Sequence, residues 1–383
     1  MSLIYLDWAA TAPVSPEALE EYLRTSRDYP GNPSSLHRDG KDARGALEDR
    51  RARLATLMGC RPERIAFTSG GTESDGMALL SLLRRPAPGS LVISSIEHPA
   101  VFEQAAILER LGWKVRRVDP GPDGRIDPGA VADACGPDTV LAAVMAVNNE
   151  TGAVQPLAGI RRALDEAARG GRRIRLHTDA VQAFGKVPFD PESEGSDSAA
   201  LSAHKIRGPR GVGALYLRTP IDPLAAGGGQ EGGIRSGTEN LAGISAFVCA
   251  ASDAVSSLEV NLARARALSD RLLEHLRQVP DARPLPEGRT AGDDRYSPWI
   301  LSLTLPGLPG ETAVRILSDS GFAVSTGSAC SSSRRKRRVL ETMGVPEALA
   351  FSAIRVSLGP TTTEAEIDSF AQALRDAYLR YRT

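Results

Sequence analysis

Residues 65–72 decide the fold: Ile65-Ala66-Phe67-Thr68-Ser69-Gly70-Gly71-Thr72. A short apolar run of strand type meets a turn of small residues, and a helical pattern follows over 73–85. The same order repeats down the chain. Leu91-Val92-Ile93-Ser94 precedes a helical stretch over 99–111, and further strand-like runs cover 114–118, 140–147, 173–177, 198–202 and 212–217. Strands separated by helices predict βαβ units, hence an α/β fold with a mostly parallel sheet between helices. In such sheets ligands sit at the carboxyl ends of the strands.

Outward from that core the pattern changes. Residues 227–233, Gly-Gly-Gly-Gln-Glu-Gly-Gly, read as a loop. One long helix is expected over 240–277, with Leu262, Leu268, Leu272 and Leu276 at helical spacing. The Pro- and Gly-rich stretch 280–292 reads as a boundary loop. Strands at 299–305 and 353–358, a helix at 311–320 and a final helix then predict a smaller α+β domain. Thr363 and Glu366 have capping-box spacing at the start of that last helix. The expected division is a large domain over 15–258 and a small one made of 1–14 and 259–383.

Composition narrows the function. The chain has 383 residues, 42% apolar and 24% charged, which is ordinary for a globular protein. A net charge of −1 argues against nucleic-acid binding over the whole surface. No apolar run of membrane-spanning length exists, and the first residues lack the pattern of a signal peptide. Cys60, Cys135, Cys249 and Cys330 are far apart and form no CxxC pair, so neither disulfides nor a metal site is expected, and the cytoplasm is the expected compartment. Lysine is scarce: 5 residues against 41 arginines.

One of those lysines, Lys205, follows the strand-like run 198–202 in Leu201-Ser202-Ala203-His204-Lys205. The window reads two ways, as a surface lysine after a strand or as a desolvated amine suited to Schiff-base chemistry. Asp179, at the end of the run before it, bears on the choice. A strand-end carboxylate pairs well with a pyridinium nitrogen, and a strand-end lysine 26 residues later suggests a pyridoxal enzyme. Alone, such an aspartate also reads as a helix cap. The Gly70-Gly71-Thr72 turn leaves backbone N–H groups for a phosphate at a helix start. It has neither Walker nor dinucleotide-fingerprint spacing. His98, in Glu97-His98-Pro99, follows a strand in the same way.

Nine strings occur in order: Tyr5-Leu6-Asp7-x-Ala9-Ala10-Thr11; Gly31-Asn32-Pro33-Ser34-Ser35-x-His37; the Thr72 loop; Glu97-His98; Asn148-Asn149-Glu150-x-Gly152; Asp179-Ala180-x-Gln182; His204-Lys205; Arg235-x-Gly237-Thr238; and Gly327-Ser328-Ala329-Cys330. Together they resemble the cysteine desulfurases, fold-type I pyridoxal-phosphate enzymes of the class V aminotransferase group. The resemblance runs from residue 4 to about 366. It implies that Lys205 holds the cofactor and later removes the substrate Cα proton, Asp179 pairs with the ring nitrogen, Gln182 reaches the ring hydroxyl, and His98 stacks on the ring and assists reprotonation. It assigns the phosphate to Gly71, Thr72, Ser202 and His204, with Thr238 supplied by the other subunit of a homodimer with shared active sites. Asn149 is implied at the ring or the substrate, and Asn32 and Arg355 at the substrate carboxylate.

Cys330 carries the distinctive step implied by the resemblance. It lies in a loop, about 323–338, rich in small residues, expected to be mobile and followed by the cationic run Arg334-Arg335-Lys336-Arg337-Arg338. Nearby cations lower a thiol pKa. The run itself is expected to be solvated or to dock an acceptor. Cys249 is expected in the core. The implied reaction converts L-cysteine to L-alanine, with sulfur held on Cys330 as a persulfide and passed to an iron–sulfur scaffold or a tRNA-thiolation factor. Selenocysteine lyase and an aminotransferase of the same fold are the alternatives. Trp8 and Pro360 depart from the usual family pattern.

Overall fold

The computed structural model describes residues 3–168, 170–327 and 337–382. Its strands are β1 (Ile4–Tyr5), β2 (Ile65–Thr68), β3 (Ser90–Ser94), β4 (Lys114–Val118), β5 (Thr139–Ala143), β6 (Arg175–Asp179), β7 (Ser198–Ser202), β8 (Gly213–Leu217), β9 (Arg283–Leu285), β10 (Ile300–Thr304), β11 (Phe322–Ala323) and β12 (Ala353–Ser357). Seven form one sheet in the order β2-β8-β7-β6-β5-β3-β4. The run from β7 to β4 is parallel. β8 is antiparallel to both of its neighbours, so β2 points the same way as β7. Six carboxyl ends therefore line one edge of the sheet. Residues of β2, β3, β5, β7 and β8 are buried throughout, which explains why these strands read as unbroken apolar runs.

Helices Gly71–Leu80, Pro99–Arg110 and Leu157–Ala168 cover the sheet in the βαβ manner. The helix expected over 73–85 ends at Leu80 and continues as a 3₁₀ turn, Ser81–Arg84, because Pro86 forces Arg85 into an extended conformation. The single long helix expected over 240–277 is two, Leu241–Ser256 and Leu258–Leu276, bent by 69°. The break falls at a serine pair, where Ser256 Oγ bonds back to the Asp253 carbonyl at 3.1 Å and competes with the helix ladder. No single helix among the described residues is long and apolar enough to cross a membrane.

The smaller sheet runs β12-β10-β9, all antiparallel. β9 lies within the stretch expected to be only a boundary loop. It is an edge strand, where Pro284 costs no ladder bond, and its proline hid it from the pattern. The last helix, Glu364–Tyr381, begins with the expected box: Thr363 Oγ1 accepts the Glu366 N–H at 3.2 Å and Glu366 accepts the Thr363 N–H at 2.7 Å.

The N-terminal segment is strapped to this smaller sheet. β1 pairs with β11, Asp7 bridges to Ser357, and Ser325 bridges to Arg355. A Cβ on Gly359 would fall inside the Trp8 indole, so the unusual Trp8 sits flat on backbone that only glycine allows. The strap delivers Asp7, Ala9 and Ala10 to the edge where the strands of the large sheet end.

Candidate active site

The residues expected to act together follow these ends. Gly70 and Gly71 come after β2, Glu97 and His98 after β3, Asn149 after β5, Asp179 at the end of β6, and Ser202, His204 and Lys205 at the end of β7. Parallel pairing sets Asp179 opposite Ala200, two residues before Ser202. Asp179 and Lys205 thus lie at adjacent strand ends.

Lys205 ends a 3₁₀ turn that continues β7. Its Nζ donates to the carbonyls of Ala9 and Ala10, each at 2.7 Å. The Gln182 Nε2 donates to the same Ala9 carbonyl at 2.9 Å, and the Lys186 Nζ donates to Gln182 Oε1 at 2.7 Å. Two amines of a lysine-poor chain are therefore joined through one carboxamide and one carbonyl. Sequence reading passed over Lys186, whose signal was its scarcity and its place seven residues after Asp179. Burial, with Lys205 and Arg355 nearby, pushes the Lys186 amine down to about 7.

Asp179 is buried, and its Oδ1 accepts the Val181 N–H at 2.9 Å. Burial raises its pKa, while His98, the Val181 N–H and Lys205 act the other way. His98 caps helix Pro99–Arg110, its Nδ1 accepting the Ala100 N–H at 3.1 Å. Burial lowers its pKa, so the ring is neutral with its proton on Nε2. Glu97 beside it is pushed up to about 8 by burial, with Oε1 accepting the Met145 N–H at 2.8 Å and a hydrogen bond from Ser94. Two residues before Asp179, on the same face of β6, His177 bonds Ser198 Oγ at 2.8 Å and Asp75 Oδ1 at 3.0 Å. Burial drives the His177 imidazole down to about 3. Burial, then Asp179 and Glu97, holds Asp75 well above the carboxylate range. Of these three carboxyls, Asp179 has the Lys205 ammonium and the Val181 N–H to favour its charge against burial, while Glu97 has Arg338 and two hydrogen bonds.

The helix start after β2 is built from glycine. Helix Gly71–Leu80 starts at Gly70, whose φ is 147°, without a side-chain cap. A Cβ on Gly70 would sit 3.7 Å from Ser202 Oγ, and one on Gly71 would meet Val181 Cγ2 at 2.6 Å. Ser202 therefore faces a helix start with N–H groups that have no partner within the helix. A phosphate fits those donors, and an ionised Asp179 fits a protonated ring nitrogen, so these residues suit pyridoxal phosphate. His204 Nδ1 lies 3.1 Å from Thr11 Oγ1, and burial pushes its imidazole down to about 4. Thr72 is exposed. Thr238 is exposed too, but Arg235 three residues earlier bonds Glu73 Oε1 at 3.2 Å and ties that loop to the same helix start.

Arg355 organises the opposite wall. It is buried on β12, with Nη1 donating to the Asn149 carbonyl at 2.9 Å and the Gly327 carbonyl at 3.0 Å. Its Nη2 pairs with Asp7 at 2.8 Å. The Nε has no partner among the described residues. Asp7 is a contact whose function sequence reading left blank. Asn148, not Asn149, builds the local turn, accepting the N–H groups of Glu150 at 3.0 Å and Thr151 at 2.9 Å. Asn32 is exposed and accepts the Ser34 N–H at 2.9 Å, and no described contact brings it to Arg355.

Cys330 lies outside the described residues, as do Arg334, Arg335 and Lys336. The last two cations of the run are neither solvated nor free to dock. Arg337 bonds the Thr326 carbonyl, and Arg338 bonds the carbonyls of Ser95 and Glu97 with its guanidinium 4.1 Å over the Phe102 ring. Backbone carbonyls and an aromatic face recruit them inward. Cys249 is half-buried rather than in the core, because it falls on the outer side of helix Leu241–Ser256.

A family model described as aminotransferase class-V matches residues 4–370. A cysteine desulfurase IscS from Anaeromyxobacter dehalogenans (strain 2CP-C) is 41% identical over 373 residues, covering 95% of this chain and 90% of that one. A solved structure described as a NifS-like protein superposes with a TM-score of 0.90 at 34% identity, covering 99% of this chain and 100% of that one. Another, SspA in complex with cysteine, has a TM-score of 0.78 at 31% identity, with 94% and 100% covered.

Proposed function

The chain belongs to the aminotransferase class-V family, and from that premise we propose that it is a pyridoxal-phosphate-dependent cysteine desulfurase. It converts L-cysteine to L-alanine and takes the sulfur on Cys330. The observation that supports this best is the meeting of Lys205 and Asp179 at adjacent strand ends beside a glycine-built helix start.

The bound cofactor supplies an electron sink for the carbon atoms of the amino acid. Lys205 would hold it, Asp179 would keep its ring nitrogen protonated, and Gly71, Thr72, Ser202 and His204 would bind its phosphate. Gln182, fixed by Lys186, is set for the ring hydroxyl. The Arg355 guanidinium spends three N–H groups on Asn149, Gly327 and Asp7, which leaves Nε–H and one Nη2–H for a substrate carboxylate. Lys205 Nζ removes the Cα proton. Neutral His98 offers a single donor, Nε2–H.

The Cys330 thiolate then attacks the substrate sulfur. A sulfur–sulfur bond forms, the carbon–sulfur pair stays with the substrate carbon, and proton gain releases alanine. Burial raises the thiol pKa of Cys60, Cys135 and Cys249, Cys60 to about 11, so none of them competes as a thiolate. Gly327, bonded to Arg355, is three residues before Cys330 and supports delivery of that loop to the site. A second copy of the chain supplies Thr238, and a reducing cytoplasm suits the three unpaired thiols among the described residues. The acceptor is an iron–sulfur scaffold or a thiolation factor.

The test is addition of L-cysteine to the loaded protein, with alanine and protein persulfide both measured. One alanine per sulfur and a persulfide mapped to Cys330 are expected. Cys330→Ser should bind L-cysteine and change the cofactor absorbance but release no sulfur. Full sulfide release by that variant, or amino transfer to a keto acid in place of alanine, overturns the proposal.

A further inference from the structure

A cavity of about 310 Å³ opens at the edge of the large sheet opposite the candidate active site. Its lining includes Arg84, Arg85, Arg172, Arg175 and Asp222. Arg175 begins β6, the strand that ends at Asp179, so about 13 Å of strand separates this cavity from the candidate active site.

Its charge is unbalanced. Asp222 pairs with Arg84 at 3.2 Å across an exposed rim. Among the described residues, Arg85, Arg172 and Arg175 have no carboxylate within ion-pair distance. The Arg85 Nε is buried and has no hydrogen-bond partner among them. Burial, then the charges of Arg172 and Arg175, lowers the Arg85 pKa. Like charges in such a group repel unless a counter-charge sits among them.

We propose that this arginine cavity is a binding site for a small phosphorylated anion, either inorganic phosphate or the phosphate end of a mononucleotide. A lone carboxylate would balance only one of the three unmatched cations. A phosphate dianion balances two and presents several acceptor oxygens to guanidinium forks. Leu82, Pro86 and Val140 give the cavity an apolar wall for an organic portion, and its volume falls at the lower end of small-ligand sites. The site shares no residue with the cofactor cradle and does not depend on the proposed reaction.

The test uses cofactor-loaded protein, so that the cradle is filled. Inorganic phosphate and adenosine monophosphate are titrated by calorimetry in about 150 mM salt. One saturable site per chain is expected, weakened at least ten-fold in Arg85→Met and in Arg175→Met, with cofactor absorbance unchanged. Tighter binding of the nucleotide means that the apolar wall is used, and equal binding means that the phosphate group alone is recognised. Either result supports the site. Thermal melts separate ligand binding from folding: phosphate should raise the melting temperature of the parent but not of Arg85→Met. The proposal fails if neither anion saturates by about 10 mM. It also fails if both variants bind like the parent, or if Arg38→Met, a change at a solvated arginine, weakens binding as much.

Discussion

Lys186 Nζ donates to Gln182 Oε1 at 2.7 Å, so one buried amine fixes the carboxamide that shares the Ala9 carbonyl with Lys205. The pairing leaves a mark on stability. The Lys186 amine is pushed from 10.5 to about 7 in the fold. Between those values the unfolded chain binds the proton and the folded chain does not, so stability rises with pH across that window. Below about 7 both forms are protonated and the slope vanishes. Lys186→Met removes the slope. The parent should therefore gain stability relative to the variant between pH 7 and 10, by on the order of a few kcal/mol. Parallel melting curves at every pH would show that the amine stays charged in the fold.

Much of this was legible in the sequence, and what escaped has physical causes. Fully buried parallel strands read as apolar runs, so the sheet and the strand-end positions of Asp179, Ser202 and Lys205 followed from pattern. Lys186 escaped because a lone lysine after a turn gives no hint of burial. The His177–Asp75 bond joins residues 102 positions apart, which no local window connects. Arg355 was assigned by resemblance alone, and its partner Asp7 is 348 residues away, brought in by the β1 strap. The inward turn of Arg337 and Arg338 was hidden by their neighbours, since five cations in a row read as solvent-facing.

The Arg355 fork makes a directional prediction. Arg355→Lys keeps a charge near Asp7 but cannot also reach the Asn149 and Gly327 carbonyls while offering a pair of donors to a carboxylate. Loss of one charge-assisted hydrogen bond costs about 1.5–3 kcal/mol, so KM for L-cysteine should rise roughly ten- to hundred-fold. Asp7→Asn should have a smaller effect in the same direction. Steady-state kinetics with cofactor content matched between variants checks this, and an unchanged KM would remove Arg355 from the substrate site.

The glycine cradle predicts loss of cofactor rather than loss of fold. A side chain at Gly71 must displace Val181 Cγ2, which a Cβ would approach to 2.6 Å, beside Ser202. Gly71→Val should therefore purify with little cofactor and lose added pyridoxal phosphate on dialysis. Its far-ultraviolet circular dichroism should match the parent, because residue 71 lies in the first helical turn. Retention of cofactor at the parental level would place the phosphate elsewhere.

The buried carboxyls predict opposite outcomes for two isosteric changes. Glu97, pushed up to about 8, is protonated at neutral pH, and glutamine copies its shape and its acceptor for the Met145 N–H. The folded form binds the Glu97 proton more tightly than the unfolded form, so the parent loses stability as pH rises from about 4.5 to about 8. Glu97→Gln should match the parent near pH 5 and exceed it above pH 8. Asp179 differs because the Lys205 ammonium and the Val181 N–H favour its charge. Asp179→Asn removes the anion proposed for the ring nitrogen, so turnover should fall by roughly 3 kcal/mol of barrier, on the order of a hundred-fold, while Glu97→Gln stays within a few-fold of the parent. Melting curves across pH and turnover of both variants decide it. Equal losses in the two would mean that the charge is shared across the cluster rather than held by Asp179.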